Sequence, residues 1–180
     1  MKQSPAPVVS INPNPATTSD ALTVNIDTLS TDPEGNIATY TYEWLLGGQV
    51  QTAHTTSSVP ASATSKGELW TARVIPSDGI TTGTAGTASI TIQNTAPTLS
   101  GLSITPTGTT YNDGSLTCSA TVTDPDETPL PSYEWSIDGN VVGSSATLDL
   151  LSAGAMPDDV VLCTVSVTDC SIQRGIIRFL

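Results

Sequence analysis

Tyr133-Glu134-Trp135 repeats Tyr42-Glu43-Trp44 at a distance of 91 residues, in a chain of 180 that holds three tryptophans. Other landmarks recur in the same order. Ala-Pro, Leu-Thr, Asp-Pro-acid, Tyr-Glu-Trp and a final Ser/Thr-Asp return at offsets of 90, 94, 92, 91 and 91. Chance does not hold both order and spacing, so the chain reads as one module written twice, over 5–95 and 96–180. Each half is long enough to bury a core of its own.

Within each half the apolar residues alternate with period two, as side chains do along a strand. Leu116, Cys118, Ala120 and Val122 share one face, and Thr117, Ser119, Thr121 and Thr123 the other. The same phase carries Tyr133, Trp135 and Ile137, then Val161, Cys163, Val165 and Val167. In the first half it carries Leu22, Val24 and Ile26, then Tyr40, Tyr42 and Trp44, then Trp70, Ala72 and Val74. No long window shows helical spacing. Threonine favours strands, and the glycines, prolines, Asn and Asp punctuate turns. The expectation is an all-β chain, with one face of each strand apolar and the other rich in Thr and Ser. That is the pattern of two antiparallel sheets packed face to face. About seven short strands in some 90 residues fit an immunoglobulin-like sandwich.

Both halves resemble the immunoglobulin-like and PKD-type modules strung in tandem in large bacterial and archaeal surface proteins. The resemblance rests on the opening APVVSINPNPATTSDALTV, the Asp-Pro-acid turn, the YxYEW strand, the VPASATSKGELW segment and the NTAP join from Asn94 to Pro97. It covers about residues 6 to 170. It implies an extracellular or cell-surface, non-catalytic role as spacer, adhesion or assembly unit, with other repeats or surface proteins of the same assembly as partners. Such modules also decorate virions, which stands as an alternative, beside a carbohydrate- or calcium-dependent binding module.

In immunoglobulin domains the strands matching those of Cys118 and Cys163 carry an inter-sheet disulfide packed on a Trp, here Trp135. The resemblance therefore implies a Cys118–Cys163 bond. Cys170 leaves alternatives open: a free thiol, a link to another chain, or a Cys163–Cys170 pair. The first half keeps Trp44 but has Val24 and Ala72 where the second has cysteines, so Trp44 and Trp135 are expected to be the shared core anchors. The ending SIQRGIIRFL departs from the Thr/Gly-rich end of the first half and makes the last strand atypical.

The net charge of −12 argues against nucleic acid or an anionic membrane surface as partner, since both need basic patches. No apolar run is long enough to span a bilayer, so direct membrane insertion is not expected. The start MKQSPAPVVS lacks the apolar core of a signal peptide, and the chain is read as a fragment of a longer protein.

Chemistry is thinly supplied. His54, the only histidine, lies in the polar stretch QTAHTTSS and is expected to be a solvated surface residue. There is no phosphate loop and no zinc-type cysteine spacing, so no enzyme is expected and no cofactor is required. Glycans are possible partners, but once Trp44, Trp135, Tyr42 and Tyr133 are assigned to the strand pattern, and Trp70 to a corner, only Tyr40, Tyr111 and Phe179 remain. They are too scattered for a sugar platform. Calcium is the one candidate cofactor. Oxygen ligands cluster at Asp32, Glu34 and Asn36, at Asp124, Asp126 and Glu127, at Asp158 and Asp159, and at Asn94 in the join. The bland alternative is that Asp-Pro and its neighbours simply make turns.

Overall fold

A computed structural model describes residues 4–31, 39–108 and 110–169 in full, and the backbone of 172–179. The chain is all-β and divides into two compact units, Met1–Thr95 and Ala96–Leu180.

The first unit contains β1 (Val8–Asn12), β2 (Ala16–Thr17), β3 (Leu22–Thr28), β4 (Thr39–Leu46), β5 (Gln49–Val50), β6 (Ser58–Val59), β7 (Leu69–Ser77) and β8 (Gly86–Gln93). One sheet has the order β1-β3-β6 and the other β2-β8-β7-β4-β5. The pairing of β2 with β8 is parallel, so the opening segment leaves the first sheet after β1 and joins the second. Ile11, Leu22 and Val24 from one sheet pack with Trp44, Trp70, Ala72, Val74, Ile90 and Ile92 from the other in a single core. Gly86 marks a close approach: a Cβ there would collide with the Pro7 carbonyl oxygen.

The second unit contains β9 (Thr98–Thr105), β10 (Ser115–Thr123), β11 (Ser132–Ile137), β12 (Asn140–Gly143), β13 (Thr147–Asp149), β14 (Val161–Thr168) and β15 (Ile172–Phe179). Its sheets are β13-β10-β9 and β12-β11-β14-β15. The atypical tail does form a final strand, paired antiparallel with β14 along its length. A Cys118–Cys163 disulfide joins β10 to β14 and so ties the two sheets together. Each unit is an immunoglobulin-like β-sandwich. Cys170 lies outside the described residues.

The two units agree bond by bond. Trp44 Nε1 donates to the Thr56 carbonyl at 2.9 Å, and Trp135 Nε1 donates to the Ser145 carbonyl at 2.9 Å. One residue on, Val24 N donates to Ser57 O and Cys118 N to Ala146 O. The tryptophans are fully buried in both units. A buried indole N–H needs an acceptor, and the backbone beside the neighbouring short strand supplies it. The hairpins match as well. Gly47 and Gly48 join β4 to β5 with φ of 53° and 86°, and Asp138 and Gly139 join β11 to β12 with φ of 49° and 84°. Two successive left-handed residues are what a two-residue turn between twisted strands requires.

The alternation read from the sequence is present in β3, β7, β10, β11 and β14. Trp70 differs from its expected place at a corner. It is 1% exposed and meets Trp44 edge-on, with ring centroids 6.4 Å apart. Its inward phase along β7, shared with Ala72 and Val74, puts it in the core. His54 is not fully solvated either. It is half-buried, with its ring edge-on to Trp70 at 5.8 Å.

Candidate functional site

Strand register gives Trp70 a partner position in the second unit. Leu46 pairs with Trp70 and Trp44 with Ala72; Ile137 pairs with Val161 and Trp135 with Cys163. Val161 thus stands where Trp70 stands. A valine cannot fill the space of an indole, and Val161 lines a cavity of about 570 Å³. That size falls within the range of small-ligand sites.

Two loops at one end of the sandwich border it and leave it open to solvent: the segment between β9 and β10, and the segment between β13 and β14. The floor is apolar and buried, made by Leu116, Leu150, Ala155 and Val161. The rim carries Tyr111, which is 80% exposed, Met156, and the polar groups of Asn112 and Asp158. Thr110 Oγ1, also at the cavity, is buried and makes no hydrogen bond.

The loops are held from within. Gly114 N donates to Tyr111 O, Leu150 N to Gly114 O and Ala155 N to Leu150 O. Asp149 accepts from Ser152 N at 2.7 Å. The Ser152 backbone N–H, with its hydroxyl second, holds the Asp149 carboxyl below the usual aspartate value. Asp159 Oδ2 accepts from Met156 N at 2.8 Å. The first unit has the same clamp, with Glu68 Oε2 accepting from Ser65 N at 2.8 Å. There the same Glu68 oxygen also accepts the Trp70 indole N–H at 2.9 Å. The second unit keeps the clamping carboxylate and lacks the indole.

The proposed calcium ligands fall out as follows. Asp32, Glu34 and Asn36 lie outside the described residues. Asp124 Oδ1 accepts from the backbone of Asp126 at 2.7 Å and of Glu127 at 3.1 Å, the mark of a turn-forming aspartate; its Oδ2 is buried without a partner. Asn94 Oδ1 accepts from Lys66 Nζ at 2.9 Å, and its Nδ2 donates to Thr95 O. Asp158 and Asp159 lie at the cavity. Among the described residues no three His, Cys, Asp or Glu gather in a way that could hold a metal ion. Tyr40, one of the spare aromatics, is tied internally, its hydroxyl accepting from Ser30 N at 2.8 Å.

Sequence reasoning passed over Tyr111 as scattered and did not name Val161 as part of a site. The signal was there: at a distance of 91 residues, the inward-phased Trp70 is replaced by the smaller Val161.

No protein-family model matches the chain, and no curated protein does. Among solved structures, it is similar to the three N-terminal domains of the highly immunogenic outer capsid protein of bacteriophage RB49, at 19% identity and a TM-score of 0.40, over 97% of this chain. It is also similar to a 1.5-MDa bacterial ice-binding adhesin, at 17% identity and a TM-score of 0.35, over 99% of this chain. The chain spans 59% and 65% of the length of those two structures.

Proposed function

We propose that the chain is a pair of copies of one module from an exported, surface-displayed protein, with a non-catalytic structural and adhesive role. The observation that carries this reading is the Cys118–Cys163 disulfide across the core of the second sandwich. Such bonds form and persist in oxidising compartments, outside the cytosol. The side chains agree. Asp20, Asp78, Asp124, Asp149 and Asp159 hold turns, and the single histidine lies against Trp70. What the molecule then offers is shape: stiff sandwiches in series that hold something at a distance or present loops to a partner.

Pulling single molecules from both ends tests this. Each unit is expected to yield in its own event. The disulfide closes a separation of 45 residues, so the oxidised second unit should release about 150–160 Å less chain than the reduced one. Both units giving way together, or without measurable resistance, would overturn the spacer reading. Recovery of Cys118 and Cys163 as free thiols from the source organism would overturn the exported setting.

A further inference from the structure

The cavity of the second unit is lined by Val161, at the register position of Trp70, and by Asp159, at that of the Glu68 that accepts the Trp70 indole N–H. We propose that it receives the indole of a tryptophan carried by a partner polypeptide, with a basic residue beside that tryptophan meeting the rim. The apolar floor takes the ring, as the first core takes Trp70, and Asp159 accepts its N–H. Tyr111, exposed at the mouth, offers the incoming ring an aromatic neighbour.

Charge complementarity sets the flanking residue. Among the described residues, the carboxylates of Asp113 and Asp158 engage no internal hydrogen bond or ion pair, and both lie in the two loops that bound the cavity. The chain as a whole carries −12. A lysine or arginine next to the anchor is favoured there, and an acidic one is repelled. A second copy of this chain cannot supply the anchor, because its three tryptophans are all at most 1% exposed. A sugar fits poorly, since hydroxyls facing Leu116, Leu150, Ala155 and Val161 would lose their hydrogen bonds to water without replacement. The binding does not depend on the spacer role, which force extension tests separately.

The experiment is a titration of the intact chain, isotope-labelled for NMR, with Lys-Trp-Lys, Lys-Ala-Lys, free indole and cellotriose. Lys-Trp-Lys is expected to give saturable shifts confined to residues 110–114 and 150–161 and to bind more tightly than free indole. Val161→Trp puts the chain's own indole in the cavity and should weaken the peptide by at least about tenfold. Tyr111→Ala, at an exposed position that leaves the core alone, should weaken it about three- to tenfold and keeps the test open should Val161→Trp not fold. Several results would each overturn the proposal: no shifts with any probe, equal shifts from Lys-Ala-Lys, free indole binding as tightly as the peptide, or saturation by cellotriose instead.

Discussion

The two units solve one packing problem in two ways. Both centre on a tryptophan whose N–H is tied to the backbone just before a short strand of the opposite sheet, through Thr56 in one and Ser145 in the other. Around that anchor the first unit packs a second indole, Trp70, with Val24 and Ala72 as small neighbours. The second unit places Cys118 and Cys163 at those small positions, joins them, and leaves the place of Trp70 to Val161. A covalent link between sheets restricts the unfolded chain, and a core so stapled tolerates a cavity that would otherwise weaken it. The comparison shows how a frame can be kept while one copy is freed to offer an opening.

The largest test removes what the units share. Trp44→Ala should cost the first unit about 3–5 kcal/mol, and Trp135→Ala the second by the same amount. Each change should lower only its own calorimetric transition, and a single transition shifted by both would end the view of two independent units. Next comes what they do not share. Cys118→Ala with Cys163→Ala should cost the second unit about 2–5 kcal/mol and leave the first melt in place. The reciprocal cavity follows: Trp70→Val should cost the first unit about 2–4 kcal/mol, because it also leaves Glu68 and His54 without their ring.

The smallest effect is with pH. Asp20 is held below its usual pKa by the Thr17 backbone N–H and then its hydroxyl, and Asp78 by the backbone N–H groups of Thr81 and Ile80. In the second unit Asp149 is held below its usual value in the same way, by the Ser152 backbone N–H and then its hydroxyl. A depressed carboxylate contributes stability that is present above its unfolded pKa of about 3.9 and is lost as pH falls through the lower folded value. Asp149 is exposed and Asp20 and Asp78 are only partly covered, so the loss is modest. Melting from pH 5 down to about 2 should lower the first unit slightly more than the second. Asp78→Asn should flatten that extra slope, and equal slopes before and after would remove Asp78 as its source.

Much of this architecture was legible in the sequence because strands write their burial with period two. The inward phase of Leu116, Cys118 and Trp135 needed only alternation to be seen. The short strands β6 and β13 were not legible, since two or three residues carry no period; the indole bonds to Thr56 and Ser145, just before those strands, reveal them. Trp70 was misplaced at a corner although its phase with Ala72 and Val74 already pointed inward. The cavity was hidden for a different reason. Its walls come from loops about 40 residues apart, and nothing local in Thr110–Asn112 announces that Ala155–Val161 will face them. Asp124 shows a further limit: its Oδ1 accepts from the backbone of Asp126 and Glu127, a turn bond that acidic spacing alone does not distinguish from a ligand.

The unequal cores also bear on how such a chain avoids misassembly while it folds. Neighbouring copies of one module offer each other interchangeable strands, and swapped hybrids are a known failure of repeat proteins. Here the exchange is penalised in both directions. If β7 docked against β10, Cys118 would face Ala72 and find no thiol, and the hybrid core would go without its inter-sheet bond. If β14 docked against β3, Cys163 would be stranded beside Val24, and Trp44 would lose the ring it meets edge-on. Covalent chemistry on one side and aromatic bulk on the other give each copy a private lock, so that two nearly identical folds can emerge in succession without trading parts.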